Sequence, residues 1–251
     1  MRLSAHSYEK HEQLDYFLGM HFRAIRGMAK RHGAPTHRMQ IFDLHAGDPD
    51  GSSMVLALAA KREQLDYHLW LFERGRRASG KLARYWEGHP HVSVKPGDHH
   101  ETISTVLPGL PRHAGPHYGL ILVDPWNDVI PHGVIERILA IPGYRRWIDV
   151  MVHVSATARK RARGAGFRPA SGRLSEDLAR IGKEQVFLRA FRGDWQWLLA
   201  FATNWPECPE LKGWVRMHSA EGAHLLERLD WTADERVALH QPDLFSKGML
   251  P

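Results

Sequence analysis

The residues of this sequence that could do chemistry sit just beyond short apolar runs. Asp43 closes the first run, and the chain continues His45-Ala46-Gly47-Asp48-Pro49-Asp50-Gly51-Ser52-Ser53. Glycines let a backbone approach a ligand closely, and a helix starting just beyond would offer unpaired N–H groups. The loop is neither G-x-G-x-x-G nor a Walker A sequence. Glu73 closes the second run, where an acidic side chain can accept both hydroxyls of a ribose. Asp98 follows the third run, at the turn Pro96-Gly97-Asp98, placed either for an adenine edge or for capping a helix. The fourth run ends Asp124-Pro125-Trp126-Asn127. Proline stiffens that turn, Trp126 offers a stacking face, and Asp124 and Asn127 offer hydrogen bonds to a polar substrate. Four successive strand ends thus each hold a residue that suits one adenosyl-type ligand.

These positions require an alternating scaffold. Leu14, Phe17, Leu18, His21, Ile25 and Met28 recur at three- and four-residue steps, which predicts a helix over 7–32. Its later half carries Arg23, Arg26, Lys30 and Arg31, as a solvated basic face would. Strands are expected at Met39–Leu44, Tyr67–Phe72, His91–Val94, Tyr118–Val123 and Trp147–Val154. Helices are expected between them, at Ser52–Lys61, Arg76–Trp86, Glu101–Leu107 and Val134–Ala140. Such alternation predicts an α/β fold, with a mostly parallel sheet and helices on both faces. Beyond the fifth strand, Ser175–Ile181 reads as a helix capped by Ser175. Gln185–Phe191 and Gln196–Ala202 then read as an antiparallel pair, joined through Arg192-Gly193-Asp194-Trp195. The total is seven strands. A helix near 220–229, capped by Ser219, belongs to the last stretch. The expected organisation is an N-terminal helical extension (1–34), a central domain (35–205) and a helical or irregular appendage (206–251).

Composition narrows the function classes. The chain has 251 residues, 43% of them hydrophobic, so it can bury a core and is not a disordered polymer. Cys208 is the lone cysteine, which excludes an intrachain disulfide and a cysteine-based zinc site. Met1–Lys10 lacks the apolar core of a signal peptide, and no window suits a membrane span. A cytoplasmic protein without membrane contact is the expectation. Lys and Arg exceed Asp and Glu by 6, which permits a polyanionic partner. The run Arg159-Lys160-Arg161-Ala162-Arg163, with Arg168 and Arg173, could track phosphates, and Phe167 or Trp195 could stack on exposed bases.

At this point the residues resemble a known class, the class I S-adenosylmethionine-dependent methyltransferases. Asp43-Leu44-His45-Ala46-Gly47 resembles the first motif of the large-subunit rRNA adenine methyltransferase J family. Asp43 to Ser52, together with Asp124-Pro125-Trp126, resembles the three-Cys-motif partner proteins of phage and bacterial genomes. The resemblance covers about residues 35–205 and implies a Rossmann-like seven-stranded methyltransferase sheet. It implies S-adenosylmethionine as cofactor, held by Asp43, His45, Ala46, Gly47, Glu73 and Asp98. It places Asp124, Pro125, Trp126 and Asn127 at methyl transfer. DNA, RNA or a nucleotide is the expected acceptor, an adenine amino group being one form, with Arg159, Lys160, Arg161, Arg163 and Arg168 on the nucleic acid. A protein partner is compatible with the same reading.

Two other readings stay open. Asp48-Pro49 stands where the family has a second glycine, and adenine amino-methylases usually carry two prolines where this chain has Pro125 alone. Both features suit a non-catalytic Rossmann-like protein that binds a nucleotide or a partner. Separately, His45-x-x-Asp48-x-Asp50 followed by Asp98-His99-His100 resembles the DHH phosphoesterases, which are metal-dependent. The chain has 18 histidines in all, so such a pair is ordinarily surface, and the leading reading assigns no metal.

Overall fold

The computed structural model describes residues 5–31, 38–112, 116–125, 129–155, 173–190, 197–205 and 211–230. The strands are β1 (Met39–Asp43), β2 (Tyr67–Glu73), β3 (Val92–Pro96), β4 (Gly119–Val123), β5 (Ile148–Ser155), β6 (Gln185–Ala190), β7 (Trp197–Thr203) and β8 (Val215–Arg216). They form one mixed sheet in the order β3-β2-β1-β4-β5-β7-β6-β8. The first five strands are mutually parallel, and β7, β6 and β8 add on antiparallel.

The helices are α1 (Ala5–Arg31), α2 (Ser52–Arg62), α3 (Arg76–Tyr85), α4 (His99–Val106), α5 (His132–Leu139), α6 (Tyr144–Trp147), α7 (Leu174–Ala179) and α8 (Ala220–Asp230). The pleat sends alternate residues of each strand to opposite faces. Met39 and Ile41 of β1 join the core under α1, α2 and α3, whereas Phe42 and Leu44 join the core that includes α4, α5, α7 and α8. Burial on both faces is why β1 and β4 read as continuous apolar runs. Gly119 is needed where β4 meets β1, since an added Cβ would lie 2.3 Å from the Gln40 carbonyl oxygen.

Two expectations are corrected. The sheet has eight strands, not seven. Val215 and Arg216 pair with Leu188 and Phe187 at the edge, and a two-residue strand shows no alternation to read. Ser175 does not cap its helix: α7 begins at Leu174, the N-cap position is Arg173, and no side chain makes the cap hydrogen bond. Ser219 does cap α8, its Oγ accepting from the Gly222 amide at 3.1 Å. β6 and β7 pair antiparallel as expected, while Arg192 to Trp195 lie outside the described residues.

Candidate active site

The order reverses at β1, which has β2 on one side and β4 on the other. The carboxyl ends of open α/β strands flank a crevice at such a point. A cleft of 710 Å³ opens there, walled by His45, Gly47, Glu73, Arg74, Asp98, His99 and Asp124 among others. Of the residues singled out after the first four strands, His45, Gly47, Glu73, Asp98 and Asp124 are therefore brought together.

Each wall has a local cause. Gly47 adopts φ 63°, and a Cβ there would meet nothing nearer than the His45 carbonyl oxygen at 4.0 Å. Glu73 Oε2 accepts from the Gly47 amide at 2.9 Å and Oε1 from the Gly75 amide at 2.5 Å. Each oxygen keeps a second lone pair, so the carboxylate can still receive a diol. Asp98 serves as the N-cap of α4, Oδ1 accepting from the His100 amide at 2.9 Å. That bond is the largest influence holding its carboxyl below the usual range.

Asp43 lies beneath the cleft, fully buried, and does not line it. Its Oδ2 accepts from Ser52 Oγ at 2.6 Å, and its Oδ1 from the His45 amide at 3.2 Å. Burial pushes its carboxyl up to about 7 against those two bonds. It braces the loop to the start of α2. Burial, with neighbouring His99 next, takes the His45 imidazole down to about 4. Ala46 is also buried, and its amide ties the loop to the Phe72 carbonyl at 3.0 Å.

Asp124 has partners that local sequence does not reveal. Lys10 Nζ of α1 reaches its Oδ2 at 2.6 Å, and His153 Nδ1 of β5 reaches its Oδ1 at 2.7 Å. Burial alone would raise the Asp124 carboxyl, but His153 and Lys10 together hold it well below the ordinary carboxylate range. The parallel register sets Val123 beside Val152, which brings the next residues, Asp124 and His153, together. A histidine inside the apolar run of β5 was the one available signal for His153. Lys10 is 114 residues from Asp124, and nothing in the sequence couples them.

Pro125 is buried, and Trp126 and Asn127 lie outside the described residues. Arg159, Lys160, Arg161, Arg163 and Arg168 lie outside them too, as do Phe167 and Trp195. The basic half of α1 is partly neutralised. Arg23 Nη2 pairs with Glu63 Oε1 at 3.0 Å, and Arg26 Nη1 donates to the Glu63 carbonyl at 3.0 Å. Of the residues in the phosphoesterase reading, His45 and His99 do meet, with ring centroids 4.8 Å apart. Asp48 instead takes Lys81 Nζ on its Oδ1 at 2.8 Å.

A scan against protein-family models finds no match to this chain, and a search of curated proteins finds none. Solved structures share its fold. A putative methyltransferase from Thermobifida fusca YX has a TM-score of 0.51 at 14% identity, covering 79% of this chain and 81% of that one. DszA carbon methyltransferase has a TM-score of 0.49 at 13% identity, covering 76% of this chain and 54% of that one. This chain thus spans about half the length of the latter. The fold is methyltransferase-like, with an eighth strand at the sheet edge. No helix among the described residues is long and apolar enough to cross a membrane.

Proposed function

We propose that the chain is an S-adenosylmethionine-dependent methyltransferase acting on a nucleic acid or nucleotide base. The observation that carries this reading is the cleft at the switch point, walled by Glu73, Asp98 and Asp124. Three carboxylates facing one crevice suit a cationic ligand. Of the three, Asp124 is already paired with Lys10 Nζ at 2.6 Å.

In this reading Glu73 receives the ribose hydroxyls on its free lone pairs. Asp98, already capping α4, offers Oδ2 to the adenine edge. His45, Ala46 and Gly47 form the loop against the amino-acid part, with Asp43 fixing the loop from below. Gly47 leaves open space where a side chain would stand, which fits a ligand lying against the backbone. Bound there, S-adenosylmethionine would supply an electrophilic methyl group for an acceptor lone pair. Asp124 then orients the acceptor, with His153 positioning Asp124. The sequence continues as Pro125-Trp126-Asn127, the residues that the resemblance assigns to the acceptor. The protein's contribution is placement and electrostatics. The excess of 6 positive charges and the run of Arg159, Lys160, Arg161, Arg163 and Arg168 favour a polyanionic acceptor such as DNA or RNA.

One observation favours a second reading, a non-catalytic binding protein: Lys10 already occupies the Asp124 carboxylate at 2.6 Å. Methyl-labelled cofactor incubated with separate DNA, RNA and nucleotide pools separates the two. Label in one pool with the native chain, and none with Asp124→Ala, supports transfer. Cofactor binding with no label in any pool supports the binding protein and overturns the enzyme.

A further inference from the structure

At the outer rim of the cleft, Asp98, His99 and His100 are the cluster of three metal-capable side chains found among the described residues. We propose that these three residues form a binding site for one borderline divalent ion, of which Zn²⁺ is the type. The site shares Asp98 Oδ2 with the proposed adenine contact, so the ion and the cofactor would compete there, and the test below reads the ion alone.

The ligand atoms of Asp98, His99 and His100 all lie within 4.8 Å of one another. Donors on one tetrahedral ion at 2.0–2.1 Å are about 3.3 Å apart. His100 is exposed, so a rotamer change of that side chain is free to close the gap. The donor set is two imidazoles and a carboxylate, which suits zinc and its neighbours over calcium or magnesium.

The surroundings meet further requirements of such a site. The His99 ring interacts with the Leu44 carbonyl. Its Nε2 is buried and has no hydrogen-bond partner. A ligating histidine usually gives its other ring N–H to a carbonyl or carboxylate, which fixes the tautomer and aims the lone pair. His45 stands edge-on to His99 with ring centroids 4.8 Å apart, and its buried Nδ1 is also unpartnered. Two neighbouring imidazole nitrogens without partners are costly unless something else satisfies them. On Asp98 the helix cap uses Oδ1, while Oδ2 faces Arg74 Nε at 4.0 Å. Arg74 is 80% exposed and can turn into solvent.

The test uses the full chain, freed of metal by chelation and titrated with Co²⁺ and Zn²⁺. The expected result is one equivalent of Co²⁺ bound, with visible absorption bands of a four- or five-coordinate ion that Zn²⁺ displaces. His99→Gln should weaken binding at least about tenfold. Asp98→Asn should weaken it too while keeping the helix cap, because Asn caps as well as Asp. His68→Gln, changed at a histidine bonded to Ser93 Oγ at 2.9 Å, should bind as the native chain does. Less than one equivalent bound, octahedral bands only, or equal binding in His99→Gln with its fold intact by circular dichroism overturns the proposal.

Discussion

Two aspartate–histidine pairs lie on the same face of the sheet, and they behave as opposites. At the cleft, Asp124 and His153 meet at 2.7 Å beside Lys10, with 21% of the aspartate side chain still exposed. Deeper under α1, Asp149 of β5 and His21 approach only to 3.6 Å, with side-chain exposures of 0% and 2%. Burial drives Asp149 up to about 7 and His21 down to about 3. Burial thus favours the uncharged form of both, against Thr203 and Lys183 at Asp149, and the His21 ring packs among Phe17, Phe201 and Trp205. The outer pair keeps its aspartate ionised because Lys10, the His153 hydrogen bond and residual solvent offset the cost of burial. The same residue types make a core contact in one place and a charged site in the other. Solvent access and a third partner decide which.

The largest expected effect breaks the outer pair. Asp124→Ala should lower methyl transfer at least about a hundredfold, the scale for losing a group that positions or stabilises the reacting centre. S-adenosylhomocysteine affinity should change little, because Glu73 and Asp98 remain. Near-native turnover in that variant removes Asp124 from the mechanism.

Next comes the inner pair, read through the pH dependence of stability. Between about pH 4 and 6.5 the folded pair holds one proton, on Asp149, and the unfolded pair also holds one, on His21. The two contributions cancel in the native chain. His21→Phe leaves the raised Asp149, so stability should fall as pH rises through that window. Asp149→Asn leaves the lowered His21, so stability should fall as pH drops from about 6.5 toward 3. Each slope is at most about 1.4 kcal/mol per pH unit relative to the native chain. Urea unfolding at pH 5 and pH 7 measures them, and parallel curves in all three proteins contradict the neutral pair.

How much of this was legible beforehand follows from the range of each interaction. β1 to β5 are readable because apolar runs alternate with helical spacing, and Glu73 and Asp98 are readable because strand ends are. The cap at Asp98 is local too, set by an amide two residues away. β8 is invisible because Val215 and Arg216 acquire their role only from β6. The Asp124–His153 contact needs the strand order before it can be deduced. The inner pair is harder still, since His21 reads as one more apolar-face position of α1, and its partner lies on a strand 128 residues on (149 − 21).

The smallest effect should come from Lys10→Ala. Lys10 and Asp124 are each about one-fifth exposed, so the pair is partly screened. Its loss should change unfolding free energy by about 1 kcal/mol or less. A loss of several kcal/mol would mean that Lys10 anchors α1 to the sheet and does more than neutralise Asp124.

The central claim is that the cleft between β1 and β4 holds an adenosyl cofactor through Glu73. Titration calorimetry with S-adenosylhomocysteine tests it most directly, using the native chain and Glu73→Ala. The account predicts one site per native chain and affinity at least about tenfold weaker in the variant, the loss expected when two hydroxyls lose a charged acceptor. No heat at millimolar ligand, or equal binding by both proteins, contradicts it.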